Sequence, residues 1–251
     1  MVAALALEGV SVRFGAYTAV ADTTVHVAPG EFVSVVGPTG CGKSTLLNLA
    51  AGLLAPSSGA VRVFGEPLAG INRRAGYLFQ SDSLMPWRNA RDNVAAGPEF
   101  AGKPRAHARA EAEAWLERVG LRGHGGKYPH QMSGGMRKRA QLAQTLVLDP
   151  PILLMDEPFS ALDVQTRLLM ENELLALWQA DRKSVLFITH DLEKPSRSPT
   201  AWWCWARGRR PGRWRSSPST CRARATWRRY ASPRTSRRCK NASGPCCATR
   251  C

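Results

Sequence analysis

The chain has 251 residues, 44% of them hydrophobic, which supports a large folded core and excludes wholesale disorder. No apolar run approaches the roughly eighteen residues of a membrane helix, and Met1 to Val10 carries Glu8 and no basic segment, so neither a transmembrane nor a secreted chain is expected. The net charge of +16 suggests a nucleic-acid binder only until it is divided: residues 1–192 hold 19 Lys and Arg against 18 Asp and Glu, whereas residues 193–251 hold 16 against 1, with six of the seven cysteines and five of the eight tryptophans.

The first ninety residues read as strand, turn, strand, loop and helix. Phe32-Val33-Ser34-Val35-Val36 is a short β-branched run of the kind a buried parallel strand needs. Gly37-Pro38-Thr39-Gly40-Cys41-Gly42-Lys43-Ser44-Thr45 follows it directly, and Leu46 to Gly52 then reads as a helix with an apolar face. Gly37 to Ser44 fits the pattern G-x-x-x-x-G-K-[ST] between a strand and a helix. Glycines there let backbone N–H groups turn towards phosphate oxygens, and the helix amino terminus adds partial positive charge. Lys43 would reach the β- and γ-phosphates, and the Ser44 hydroxyl would ligand Mg²⁺. The competing reading is a glycine-rich turn with an incidental Lys-Ser, and the flanking pattern weighs against it.

A second strand, Pro151-Ile152-Leu153-Leu154-Met155, ends in Asp156-Glu157. Alone, such an acidic pair is a helix cap or a solvated loop. With a phosphate-binding loop upstream, Asp156 becomes a candidate for holding Mg²⁺ through water, and Glu157 for polarising an attacking water. A third strand, Ser184 to Thr189, delivers His190-Asp191. A lone histidine at a strand end is usually structural; here it falls where a third loop converges on the γ-phosphate.

The phosphate loop, Gln80, Ser133-Gly134-Gly135-Met136, Asp156-Glu157, Ser160-Ala161-Leu162-Asp163 and His190 occur in the order seen in ATP-binding-cassette (ABC) ATPases. The resemblance covers about residues 5–192. It implies an α/β fold with a RecA-like P-loop NTPase core on a parallel sheet, an N-terminal antiparallel β part and an inserted helical subdomain. The nucleotide-binding core would be 1–82 and 149–192, and the helical subdomain 83–148. Phe14 resembles the aromatic that stacks on adenine, with Tyr17 as second choice. Gln80 resembles the residue that touches Mg²⁺ and reports nucleotide state. Met132 to Met136 resembles the signature loop, opening a helix through Arg137 to Ala143 and meeting the ATP held by a second copy. Asp163 resembles a cross-subunit contact. Met132, Met136, Lys138 and Gln144 depart from the common Leu, Gln, Gln and Arg. With Pro86-Trp87 and Phe159-Ser160-Ala161-Leu162-Asp163, the variant is similar to the ATPases of nitrate, sulfonate, taurine and bicarbonate importers. Such a subunit would sit on the cytoplasmic face of the membrane against separate permease subunits, indirectly serving a solute-binding protein. Leu84-Met85-Pro86-Trp87 would lie near the permease, unless it is ordinary core.

The segment 193–251 shows no clear periodicity. A basic aromatic segment for nucleic acid or membrane lacks an amphipathic face, and Cys246, Cys247 and Cys251 lack zinc spacing. A third reading is translation out of frame. Tryptophan has one codon and cysteine two, so reading Trp202-Trp203-Cys204-Trp205 one base early forces Val-Val-Leu, and the flanking residues permit A-I-A-L-S-D-R-V-V-V-L. That is the short helix and strand which the family places after the histidine. One base missing near Glu193 is the favoured reading; it predicts an irregular tail and a sheet lacking its last strand. Two further alternatives are a non-transport cassette ATPase gripping nucleic acid through the basic tail, and an inactive fragment.

Overall fold

The computed structural model describes residues 2–37, 39–160, 162–189, 201–207 and 214–219. Two strands open the chain, β1 (Leu5–Phe14) and β2 (Tyr17–Val27), paired antiparallel. In β1, Leu5 and Leu7 are buried, and so are Val10 and Val12. Strict alternation would send the second pair outward. Gly9, at φ +56°, lies in a register break that switches the parity and keeps all four inside. β4 (Ser58–Val63) and the short β5 (Glu66–Pro67) complete an antiparallel sheet of order β2-β1-β4-β5.

The second sheet has β3 (Phe32–Val36), β6 (Ala75–Leu78), β7 (Ile152–Asp156) and β8 (Ser184–Thr189) in parallel, with β3 beside β8, β8 beside β7 and β7 beside β6. Every residue of β3 and of β7 is buried. Alternate residues serve opposite faces, because side chains along a strand alternate. Val33, Val35, Ile152 and Leu154 pack with the antiparallel sheet and α1 (Lys43–Ala50); Phe32, Leu153, Met155 and Val185 pack on the other side. There α5 (Val164–Asp181) lays Met170, Leu174 and Trp178, four residues apart, against the sheet, and the Trp178 ring meets Phe32 edge-on at 5.6 Å.

Between β6 and β7 the chain makes α2 (Ala90–Phe100), α3 (Arg105–Arg118), a 3₁₀ turn (Pro129–Gln131) and α4 (Gly134–Leu146). Their buried residues, among them Val94, Ala108, Leu116 and Leu142, join the same hydrophobic cluster as Leu153 and Met155.

The tail departs from the expectation of irregularity. β9 (Ala201–Arg207) runs parallel to β3, in register from Val33↔Ala201 to Val36↔Cys204, and β10 (Trp214–Ser219) pairs antiparallel with β9. The sheet order is β10-β9-β3-β8-β7-β6, so a strand does stand beside β3. Aromatic runs such as Ala201 to Trp205 favour extended backbone, and an open strand edge offers unpaired N–H and C=O groups to whatever reaches it. The rest of the expectation for 193–251 lies outside the described residues.

Candidate active site

Parallel strands bring their last residues to one edge of the sheet, the ordinary place for a ligand in an α/β fold. Val36, Asp156 and Thr189 end β3, β7 and β8 there. The loop from Gly37 then turns into α1, and Gly42 permits the turn. It caps the helix at φ +96°, and a Cβ on it would stand 2.5 Å from the Ala19 carbonyl oxygen. The first turn of α1 holds no acidic residue and the Gly42 cap brings no side chain, so the positive end of the helix faces an incoming anion.

Lys43 is buried, yet its Nζ donates to the Gly37 carbonyl at 2.8 Å and lies 3.6 Å from Glu157 Oε1. The loop thus closes around its own cation. Beside it, the Ser44 hydroxyl hydrogen-bonds the Asp156 carboxylate. Burial raises the Asp156 pKa above the ordinary carboxylate value; the Ser44 bond and the Lys43 charge oppose this, and the Glu157 charge adds to it. Hard oxygens of a hydroxyl and a carboxylate side by side suit Mg²⁺. Among the described residues there is no cluster of three or more His, Cys, Asp or Glu, so a cation here would draw its remaining oxygens from phosphate and water.

Glu157 adopts φ +43°, a left-handed conformation that non-glycine residues rarely take. Its N–H donates to the Ile188 carbonyl at 3.1 Å, and its own carbonyl accepts from Ser160 N at 3.2 Å and Ser160 Oγ at 3.0 Å. Those bonds hold the turn that brings its carboxylate to Lys43. Gln80 Nε2 donates to the same Ser160 Oγ at 3.4 Å. Opposite, the β1–β2 hairpin turns at Gly15 (φ +59°) and presents Phe14 and Tyr17, both more than half exposed. An aromatic ring left in water at the rim of a cleft is available to stack on a flat ligand.

These groups enclose a cleft of about 710 Å³ lined by Phe14, Tyr17, Ala19, Thr39, Gly40, Gly42, Lys43, Ser44, Thr45, Gln80, Glu157 and Ser160. The Cys41 side chain is not among them: it is buried in the core beside α1, where burial raises its pKa, so only its backbone belongs to the loop. Pro38 and His190 lie outside the described residues. Ser133, Gly134, Gly135 and Met136 do not line this cleft. Ser133 caps α4, accepting from Met136 N at 3.3 Å, and the loop sits against the start of α5, with the Gly134 Cβ position 3.8 Å from Leu162. Asp163 caps α5, accepting from Thr166 N at 2.9 Å; bonds from Thr166 hold its carboxyl below the usual range. Ser160 was missed as a lining residue; its position three residues after Glu157 was the available signal.

Residues 20–160 match the ABC transporter family. The chain belongs to that family, and it is an ATPase. The taurine import ATP-binding protein TauB of Pseudomonas putida is 46% identical to this cassette over 194 residues, 76% of the chain and 74% of the relative. An ABC transporter ATP-binding protein of Methanocaldococcus jannaschii is 44% identical over 173 residues, 69% of the chain and 65% of the relative. An ATP-binding cassette solved as a dimer in a post-hydrolysis state, bound to ADP and Pi, superposes with a TM-score of 0.71 at 29% identity, over 80% of this chain and 93% of that one. The cbiO1 cassette of Clostridium perfringens, with a TM-score of 0.73 at 24% identity over 81% and 85%, shares the fold. Among the described residues no helix is long and apolar enough to cross a membrane.

Proposed function

We propose that this ATPase energises an importer of a small anion, of the taurine, sulfonate or nitrate kind, from the cytoplasmic face of the membrane. The observation that carries the reading is the convergence of Lys43, Ser44, Asp156, Glu157 and Gln80 on one cleft below two exposed aromatic rings. The identity with a protein named for taurine import supports the solute class. Separate permease subunits and, through them, a solute-binding protein would be its partners; the solute itself is chosen by them.

In this reading Phe14, with Tyr17, stacks on the adenine. The loop amides and Lys43 hold the phosphates, with Lys43 leaving Glu157 for the γ-phosphate as it arrives. Ser44, Asp156 and Gln80 would hold Mg²⁺, which when bound neutralises charge on the β- and γ-phosphate oxygens. Glu157 takes the proton of the attacking water, and His190 orients the γ-phosphate. Ser133 to Met136 and Asp163, which lie away from the cleft of their own chain, serve the cleft of a second copy. The segment 83–148 carries that turn and the surface for the permease.

Two substitutions test the reading in the purified full chain. Lys43→Ala should lose nucleotide binding in a fluorescent-ATP titration. Glu157→Gln should keep binding and lose turnover by at least about 10²-fold, the usual contribution of a positioned base. Retained binding in the first, or retained turnover in the second, rejects it.

A further inference from the structure

α4 buries two polar side chains one helical turn apart, Lys138 and Gln141. Lys138 is 4% exposed. Its Nζ donates to the Gln80 carbonyl at 2.7 Å and reaches the Phe79 and Ser81 carbonyls at 3.4 Å each. An ammonium out of water is costly unless oxygens surround it, and three backbone carbonyls do so here. Burial lowers its pKa, and the charge of nearby Asp82 opposes this.

The same helix grips the same segment twice more. Gln141 Nε2 donates to the Ser81 carbonyl at 3.0 Å and to Ser83 Oγ at 2.9 Å. Arg137 donates through Nε to Asp82 at 2.7 Å, and through Nη1 to the Met132 carbonyl at 2.7 Å. Residues 79–83 leave β6 without regular structure, so their backbone geometry is set by these bonds and not by a sheet. The segment's one side chain in the cleft is Gln80, and the helix that holds it begins at the Ser133–Met136 turn.

We propose that Lys138 is a positioning residue that ties the Gln80 backbone to the first turns of α4, so that the Gln80 side chain and the Ser133–Met136 turn move as one body. The proposal rests on the reading of Gln80 as a Mg²⁺ contact. A group that aims a metal contact without touching the metal acts through that contact alone, and removing the contact should remove its effect.

The test uses the full chain in five forms: wild type, Lys138→Met, Lys138→Gln, Gln80→Ala and the Lys138→Met/Gln80→Ala double variant. ATPase is measured against Mg²⁺ and ATP separately, ATP affinity by fluorescent nucleotide, and folding by thermal melt. Lys138→Met should lower kcat about tenfold and raise the Mg²⁺ needed for half-maximal rate, with ATP affinity within about twofold of wild type. Lys138→Gln, whose amide still donates to the Gln80 carbonyl, should recover most of the rate. In the Gln80→Ala background Lys138→Met should change kcat by less than about twofold. Equal losses in both backgrounds, equal behaviour of Met and Gln, or a rate that falls only with the folded fraction would overturn the proposal. If Gln80→Ala itself leaves the Mg²⁺ dependence unchanged, the reading of Gln80 fails and this proposal with it. If Gln80→Ala shifts that dependence and Lys138→Met does not, the proposal alone fails.

Discussion

A carboxylate buried at the foot of the cleft is held there against its own solvation. The folded chain raises the Asp156 pKa, chiefly through burial, so the folded state binds this proton more tightly than the unfolded one. Stability is therefore reduced at every pH above the raised value. The reduction fades as pH falls through that value and is gone below the unfolded one. Asp156→Asn keeps an oxygen for Ser44 and removes the charge. In EDTA without nucleotide at neutral pH it should melt above wild type, while ATPase activity is lost. The advantage should shrink with acidification in a series of thermal melts; an advantage that grows on acidification rejects the assignment. Lys43, Ser44, Asp156 and Glu157 were legible because each follows a strand within a short local pattern. Lys138 was not, because its partner Gln80 lies 58 residues away, and no local pattern encodes such a register.

At the scale of elements, legibility follows the number of faces a strand must bury. β3 and β7 are buried throughout, and apolar but for Ser34 and the terminal Asp156, because both sides of the sheet are covered, and a run so rich in apolar residues is visible in sequence. β1 was harder: its Gly9 bulge breaks the alternation that identifies a one-faced strand. β9 departs from the out-of-frame reading, which leaves the edge of β3 without its last strand; here that edge is filled. A strand beside β3 meets the same two-sided demand as β3, and the shifted frame supplies Val-Val-Leu for it where the chain has Trp203-Cys204-Trp205. A gene with one base restored near the Glu193 codon should therefore yield a protein with the aliphatic strand in register. Its melting temperature should exceed that of the present chain by at least about 4 °C, more than 1 kcal/mol at this size. An equal or lower melting temperature would reject the out-of-frame reading.

At the scale of the whole molecule, one chain presents a cleft on one side and an uncommitted helix-capping turn elsewhere. Ser133 to Met136 opens α4 without lining the cleft, and Asp163 is exposed at the start of α5. Groups suited to a phosphate yet absent from their own cleft are satisfied if two copies meet head to tail about a two-fold axis, each completing the other's site. The arrangement can be tested without a structure of the pair, by complementation. Lys43→Ala disables a chain's own cleft and leaves its capping turn intact. Gly134→Asp should do the reverse: its Cβ position has ordinary contact distances to Leu162 and Arg137, so the fold accepts it, while a carboxylate at that turn repels the partner's phosphates. Each variant alone should be inactive. Mixed in equal amounts and allowed to exchange, half of the dimers carry one of each, and each of those has one complete cleft. ATPase activity should then return to about a quarter of wild type if the two clefts act independently. A cleft that works within a single chain predicts instead that Gly134→Asp alone stays active and that mixing adds nothing. A pair that must fire both clefts together predicts two inactive variants and an inactive mixture, while ATP still draws the Glu157→Gln protein into dimers on a sizing column.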